Sequence, residues 1–302
     1  MTPPVRWIAV SVATLWVSPK TDRPVDAPAV GNPADPRKWV ESMTLDQKRW
    51  LVGKLETQAL YGMRVYLLGT SGDWSRVAVA GQPTPSNAWG YPGWLPTVQL
   101  TSRPPEQTSR LGVVTPRTTW LWTSSAWSDR VMEISYGTRL PVAAVTDTSV
   151  EVVAIDGSHL YLHRSVVVLH ATGAPWAPPT EARLVSEAKR FLGLQYLWAG
   201  TSAFGFDCSG LVHSVYRRMG VQIPRDADAQ FASGTKISLR SNLRPGDLVF
   251  FRNGSGVIHH VGMYIGEGRM IHAPQTGQPV QVVSLSVEPY RSEFAGGRRY
   301  VR

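Results

Sequence analysis

The chain has 302 residues, 43% hydrophobic and 18% charged, the balance of a folded globular protein that is long for one core, so two or three domains are expected. Twelve Trp, 27 Gly and 23 Pro, with few long helical patterns, point to small β-rich domains with many turns. The net charge of +9 favours an anionic partner, yet no dense Lys/Arg block or nucleic-acid motif accompanies it, and the single cysteine, Cys208, excludes an internal disulfide.

Trp7 to Val17, WIAVSVATLWV, is apolar and follows Arg6. It lacks the A-x-A-like site that ends a signal peptide and is far too short to span a bilayer. It is read as strands, with no leader and no membrane anchor. These strands open a weak internal repeat. One copy contains TLWVSP (Thr14 to Pro19) and LYGMRVYLLGTSGDWSRVAV (Leu60 to Val79). The other contains TWLWTSS (Thr119 to Ser125) and SYGTRLPVAAVTDTSVEVVAI (Ser135 to Ile155). Each has an aromatic-rich strand, a Tyr-Gly turn (Tyr61-Gly62, Tyr136-Gly137) and two strands of alternating polarity, which predicts two small β-barrels of about 60 residues.

The first copy is interrupted from Lys20 to about Thr57. The first half of this insertion reads as Pro-rich loop. In the second half, SMTLDQKRWLVGKLETQAL, Leu45, Trp50, Leu51 and Leu55 fall at rough helical spacing. The copy ends in NAWGYPGWLP, Asn87 to Pro96, a turn dense in Trp and Gly that either packs a barrel or offers aromatics to a ligand.

GAPWAPPT (Gly173 to Thr180) is a Pro-rich linker. Beyond it the pattern turns α+β. Thr180 is expected to cap a helix from Glu181 to Leu192 with Gly193 as its stop. The domains expected are 1–105, 106–172 and 173–302.

Cys208 lies in the last of them. Leu211, Val212, Val215, Tyr216 and Met219 follow helical spacing and Gly220 ends the run, so Cys208 sits at a helix N-terminus. The positive end of a helix dipole lowers a thiol pKa there. A nucleophilic cysteine also needs a base, usually histidine. IHHVGMYIGEGRMIHAP reads as a hairpin, Val261 to Ile265 and Met270 to Ala273, joined through Gly266-Glu267-Gly268. That three-residue loop puts His272 opposite Gly262, one same-face step from His260, so one imidazole can take a proton and the other orient it. The competing reading makes both histidines ordinary polar strand positions. His259 points to the opposite face, as a solvated or hydrogen-bonded edge residue. His213 lies in mid-helix and is read as structural. His159, His163 and His170 have no partner pattern, and no metal-ligand spacing occurs, so neither metal nor cofactor is expected.

The third domain resembles the NlpC-type bacterial cell-wall cysteine peptidases, a papain-like family. The resemblance is carried by QYLWAG (Gln195 to Gly200), FDCSGLV (Phe206 to Val212), IPRDADAQ (Ile223 to Gln230), LRPGDLVFF (Leu243 to Phe251), HVGMYIG (His260 to Gly266) and MIHAP (Met270 to Pro274), in that order over about 120 residues. It implies Cys208 as nucleophile, His260 as base and His272 as the orienting member. The N-terminal part looks like the bacterial SH3-like pair of the subfamily that cuts muropeptide stems between γ-D-Glu and the diamino acid when the N-terminal L-Ala is free. In that subfamily the first barrel leans on the cleft. LETQALYG then implies Glu56 as a ligand of the substrate amine, and WGYPGW implies Tyr91 as the residue that closes the pocket. Tyr196, Asp207, Ser209 and Asp226 match further substrate-binding positions. Two departures stand out. Ala199 replaces the first Gly of the usual W-G-G, and Ala227 replaces the Ser of the usual R-D-S.

The expected architecture is therefore α+β: two small N-terminal SH3-like β-barrels followed by a papain-like cysteine peptidase domain. The expected partner is a muropeptide, with no nucleic acid and no membrane, and the expected state a monomer. On the chain as it stands this reads as cytoplasmic recycling of muropeptides; a trimmed leader would place it at the wall. Two other classes compete: an acyltransferase or other amidase on the same core, and a non-catalytic wall-binding protein. The Cys208, His260 and His272 set argues against the last.

Overall fold

The protein is described here by a computed structural model covering residues 2–301. The apolar N-terminal stretch forms two strands, β1 (Val5–Ile8) and β2 (Val12–Trp16). They join β3 (Leu55–Leu60), β4 (Arg64–Ser71), β5 (Trp74–Val79), β6 (Tyr91–Pro96) and β7 (Leu100–Thr101) in a sheet ordered β3-β2-β6-β5-β4-β1-β7. A second sheet contains β8 (Arg110–Val114), β9 (Thr118–Trp122), β10 (Arg130–Ser135), β11 (Arg139–Val145), β12 (Ser149–Val153), β13 (His159–His163) and β14 (Val167–Ala171). Its order is β10-β9-β13-β12-β11-β8-β14, the first order with every strand advanced by seven. The internal repeat thus extends to the complete topology. Both sheets are open, with unpaired outer strands, so the closed barrels expected are replaced by small SH3-like sheets.

The insertion departs from its sequence reading at both ends. Its first half is not loop: it folds into α1 (Ala27–Val30) and α2 (Pro36–Ser42), the latter started by Asp35, which caps Lys38 N–H, and by Pro36 at the first helical position. Trp39 on α2 is fully buried in the core of the first sheet, and its Nε1 donates to Asp26 at 2.8 Å. The second half holds only one short helix, α3 (Leu45–Trp50), and Leu55–Leu60 is a strand paired with β2. Its leucines fit a helical spacing, but the fully buried partners offered by β2 decide the outcome, as pairing and burial commonly override local pattern.

Beyond the linker, α4 (Glu181–Lys189) is capped by Thr180 as expected but ends three residues early, in a turn closed by Gly193. A small hairpin, β15 (Thr201–Ser202) and β16 (Gly205–Phe206), leads into α5 (Cys208–Arg218), and α6 (Ala227–Ala232) follows. The third sheet consists of β17 (Thr235–Ile237), β18 (Leu248–Arg252), β19 (Ile258–Gly266), β20 (Arg269–His272), β21 (Gln281–Ser284) and β22 (Phe294–Arg299), ordered β17-β22-β18-β19-β20-β21. Leu211, Val212, Val215 and Tyr216 of α5 are fully buried in one core with Val261, Met263 and Ile271, so the helix that begins at Cys208 packs against β19 and β20. No helix among the described residues is long and apolar enough to cross a membrane.

The three sheets are joined by buried polar bonds. Gln58 on β3 accepts from Thr201 N–H (3.2 Å) and the Ser202 hydroxyl (2.8 Å), while its own carbonyl accepts from the Thr201 hydroxyl (2.8 Å). The Tyr136 hydroxyl donates to Glu187 of α4 at 2.9 Å, and Tyr61 accepts from Ile155 N–H at 2.7 Å. Replacing Gln58 by Leu would strand a buried N–H and a buried hydroxyl. We expect Gln58→Leu to cost about 2–4 kcal/mol and lower Tm by roughly 4–8 °C, against under about 0.5 kcal/mol for the exposed Gln107→Leu. Thermal unfolding followed by circular dichroism checks this; equal Tm values for the two variants would contradict it.

Candidate active site

Cys208 is the first helical residue of α5, after Asp207 as N-cap. Its sulfur lies against the backbone N–H groups of Ser209 and Val261, and so beside the strand that carries His260. On β19 and β20, Met263 pairs with Ile271 and Tyr264 with Met270. That register continues to Gly262, where a Cβ would lie 3.3 Å from the Cβ of His272. The turn is not the three-residue loop expected. Glu267 and Gly268, both at positive φ, make a two-residue turn, and the register slips at Ile265. The bulged residue takes the place of the third loop residue, so the parity that puts His260 and His272 on one face is kept.

His260 Nε2 and His272 Nδ1 are 2.8 Å apart. This leaves Nδ1 of His260 as its free ring nitrogen. For Nδ1 to accept a proton, the Nε2 hydrogen must be donated to His272, and His272 then holds its own hydrogen on Nε2, which is buried without a partner among the described residues. Tyr290 packs edge-on against the His272 ring, centroids 5.2 Å apart.

The electrostatics reverse one expectation. Burial first, and then the Asp207 carboxylate, push the Cys208 thiol up to about 12, outweighing the helix terminus and the N–H groups at the sulfur. Burial, and then the neighbouring His272 and His259, hold His260 well below its ordinary value. His272, the hydrogen-bond partner of His260, is itself lowered to about 4 by burial, so it brings no negative charge to favour an imidazolium. The directions at Cys208 and His260 both favour a neutral thiol and a neutral imidazole at rest.

A cavity of about 380 Å³ opens beside the sulfur, and Cys208, Glu56, Tyr91, Tyr196, Asp207, Ser209 and Asp226 all line it. Glu56 and Tyr91 come from β3 and β6 of the first sheet and the others from the third domain, so the cleft is shared between two units. Glu56 is a strand residue, half-buried in β3. Gly93 lets β6 approach: a Cβ there would lie 2.8 Å from Leu15 Cβ and 3.3 Å from Glu56 Cβ. The Tyr91 hydroxyl donates to Asp226 at 2.7 Å. Burial and the Asp226 charge raise Glu56, and burial raises Asp226 although Arg225 lies 3.7 Å from its carboxylate. Burial also keeps the Tyr196 hydroxyl protonated at the opposite wall, where it can donate.

Two of the expected residues are otherwise engaged. Both Asp207 oxygens accept from Arg225, at 3.2 and 2.7 Å, and Oδ1 also accepts from Gly210 N–H at 2.6 Å. The Ser209 hydroxyl accepts from Arg225 at 2.9 Å. Arg225 itself was not singled out from the sequence. It is 1% exposed and reaches Thr57 on β3 at 3.0 Å, fastening the helix start to the first sheet. An arginine next to Asp226 in IPRDADAQ was the available signal. Gln58 and Trp198 were also missed; the Trp198 indole donates to the carbonyl of Leu55 at 3.2 Å, one residue from Glu56.

Ala199 takes φ +60°, a conformation glycine adopts at no steric cost, so the fold keeps the glycine geometry of the family pattern at an alanine. Of the remaining histidines, His259 also lines the cavity, and the other four do not. His213 is buried with Nδ1 3.0 Å from the Ile223 carbonyl, and burial lowers it to about 3. His259 pairs with Glu293 at 3.0 Å on the exposed face of β19, His159 with Glu151 at 2.7 Å, and His163 and His170 stack on Trp127 and Trp176.

Because Cys208 is the only cysteine, its alkylation is specific. With a neutral resting pair, iodoacetamide should label it at pH 6 no faster than it labels glutathione, with a rate that climbs as pH rises past 8. Rapid, pH-independent labelling near pH 6 would demonstrate a resting thiolate and contradict the neutral pair.

The NlpC/P60 family model matches residues 193–299, and a model described as the YKFC SH3b2 domain matches residues 114–169. A gamma-D-glutamyl-L-lysine dipeptidyl-peptidase from Bacillus cereus is 43% identical across 98% of this chain and 90% of its own. A protein of the same name from Bacillus subtilis is 33% identical, covering 96% of each chain. The crystal structure of an NlpC/P60 family protein from Bacillus cereus aligns with a TM-score of 0.92 at 41% identity, over 99% of this chain and 100% of that one. With matches of this extent, the chain belongs to the NlpC/P60 family of cysteine peptidases.

Proposed function

We propose that this peptidase hydrolyses the bond between γ-D-Glu and the diamino acid of peptidoglycan stem peptides whose N-terminal L-Ala is free. The observation that carries the reading is the composite cavity, with a cysteine at one end and Glu56, Asp226 and Tyr91 at the other. The printed name of the two full-length relatives supports the same bond type. The proposal divides the chain at 1–105, 106–172 and 173–302, with the first SH3-like unit building the amine end of the cleft.

A free ammonium loses its hydration on entering such a cavity and needs carboxylates in exchange. Glu56 and Asp226 supply them, and Tyr91, bonded to Asp226, shapes that end. Anchored there, L-Ala and D-Glu reach toward Cys208 with the γ-carbonyl over the sulfur. His260 Nδ1 takes the thiol proton as sulfur bonds to the carbonyl carbon. The N–H groups at the start of α5 and the Tyr196 hydroxyl face the developing oxyanion. His260 then gives its proton to the departing amine of the diamino acid, leaving a thioester. A water, deprotonated by the same nitrogen, attacks the thioester, and the proton returns to sulfur as the L-Ala-D-Glu dipeptide leaves. His272 holds the ring of His260 and acts through it as a positioning residue.

Mass spectrometry of products from L-Ala-γ-D-Glu-diaminopimelate and from its N-acetylated form tests the reading. The free-amine peptide alone should release L-Ala-γ-D-Glu, and Cys208→Ala should reduce the rate by about 10³-fold or more. Equal cleavage of both peptides would discard the amine roles, and cleavage of neither would discard the substrate. Glu56→Gln should lower kcat/KM for the free-amine peptide by about 10–100-fold, mostly through KM, and narrow its advantage over the acetylated one. In wild type, KM should rise as pH falls through the raised range of Glu56 and Asp226, because protonated carboxyls no longer attract the ammonium. His272→Ala should instead reduce kcat by about 100-fold with KM little changed; a KM effect alone would show that His272 does not act through His260.

A further inference from the structure

The two copies of the repeat present the same four-residue element, Tyr61-Gly62-Met63-Arg64 and Tyr136-Gly137-Thr138-Arg139, at the turn before β4 and before β11. Arg64 and Arg139 are therefore equivalent positions in the two sheets. The chain brings both to one cavity of about 290 Å³, whose third wall is Arg217 near the C-terminal end of α5. Each of the three domains contributes one guanidinium. Trp176, from the linker, closes the side: the guanidinium of Arg139 lies 4.7 Å from its ring centre, and a Cβ on Gly220 would collide with it at 2.2 Å.

Among the described residues, none of Arg64, Arg139 and Arg217 belongs to an ion pair within 4.0 Å. Arg217 donates to the Gly137 carbonyl at 3.2 Å and Arg139 to the Arg217 carbonyl at 2.8 Å, so the side chains are held by neutral acceptors. The Nε of Arg139 is buried with no partner. Burial and then the Arg139 charge lower Arg217 to about 9, and burial and then the Arg218 charge lower Arg139. Both directions are those of like charges crowded together without an anion. Three guanidinium groups, two of them partly buried and Arg64 exposed, thus line one cavity at a domain junction, and planar guanidinium forks match phosphoryl oxygens in bidentate geometry.

We propose that this junction is a binding site for a phosphoryl oxyanion, either inorganic phosphate or the phosphate of a small phosphomonoester, and that the anion fastens the three domains together. The site is separate from the cleft. Arg217 follows Cys208 by nine residues on one helix, a rise of about 13.5 Å. The volume is that of roughly ten waters, enough for a phosphate with a small substituent.

The test is thermal unfolding of the full chain in 20 mM potassium phosphate, in 20 mM glucose 6-phosphate, and in potassium chloride of matched ionic strength. Wild type should gain about 3 °C or more in a phosphoryl anion over chloride. A larger gain in glucose 6-phosphate assigns the site to a phosphomonoester, and a larger gain in phosphate to the free ion. Arg64→Ala removes an exposed side chain that forms no ion pair, so it should fold, keep wild-type peptide hydrolysis, and lose at least half of the gain. Arg217→Gln should lose all of it. No gain over chloride in wild type overturns the proposal, and so does an undiminished gain in Arg64→Ala, whether or not Arg217→Gln folds.

Discussion

The buried guanidinium of Arg225 is the constraint on which the cleft depends. It neutralises Asp207, steadies Ser209, and bonds to Thr57 across the domain boundary, while its backbone N–H donates to the Pro83 carbonyl at 3.0 Å. Without it the Asp207 carboxylate would be buried with no cation beside it at the start of α5, and an Asp207 turned away would leave Gly210 N–H uncapped. One cation thus fixes the helix that begins at Cys208, sets the first sheet against that helix, and stands beside Asp226 at the acidic end of the cavity. Removing one partner of such a pair typically costs about 3–5 kcal/mol, because the other charge remains buried and alone.

The same topology serves two purposes in the two SH3-like units. The first sheet turns β3 and β6 toward the cleft and contributes side chains to it. The second meets the peptidase domain through Tyr136 on Glu187 and through the Ser135 hydroxyl, which accepts from Ala203 N–H at 2.8 Å, and lines none of the cavity at Cys208. An insertion between β2 and β3 is present in the first copy alone, and it buries Trp39 and Leu51 against the first sheet.

What the sequence revealed and what it hid divide along one physical line. Features set by local chemistry were legible: the capped start of α5, the Tyr-Gly turns, the stop at Gly220, and the parity that faces His260 with His272. Features set by distant partners were not. Leu55 continues the rough helical spacing of Leu45, Trp50 and Leu51, and only the presence of β2 makes Leu55–Leu60 a strand. Arg225 looks like any arginine until Asp207 and Thr57 close around it. The thiol of Cys208 stands at a helix terminus that favours its ionisation, and the depth of the pocket with the nearness of Asp207 reverses the balance. Even the loop of the histidine hairpin was read a residue too long, and the bulge at Ile265 preserved the outcome because parity, not loop length, fixes the face.

That Glu56 and Tyr91 reside in a different unit from Cys208 has a consequence for how such a protein can diverge. On the proposed reading the reacting groups, Cys208 and His260, belong to the third domain, while β3 and β6 of the first sheet supply Glu56 and Tyr91 to the far part of the same cavity. Drift in those two strands can retune which peptide terminus is accepted while the reactive core stays untouched. The converse also holds. The peptidase domain is not a detachable part: cut free, it would bare Arg225, Trp198 and the Thr201–Ser202 hairpin to water, and its cleft would have lost a wall.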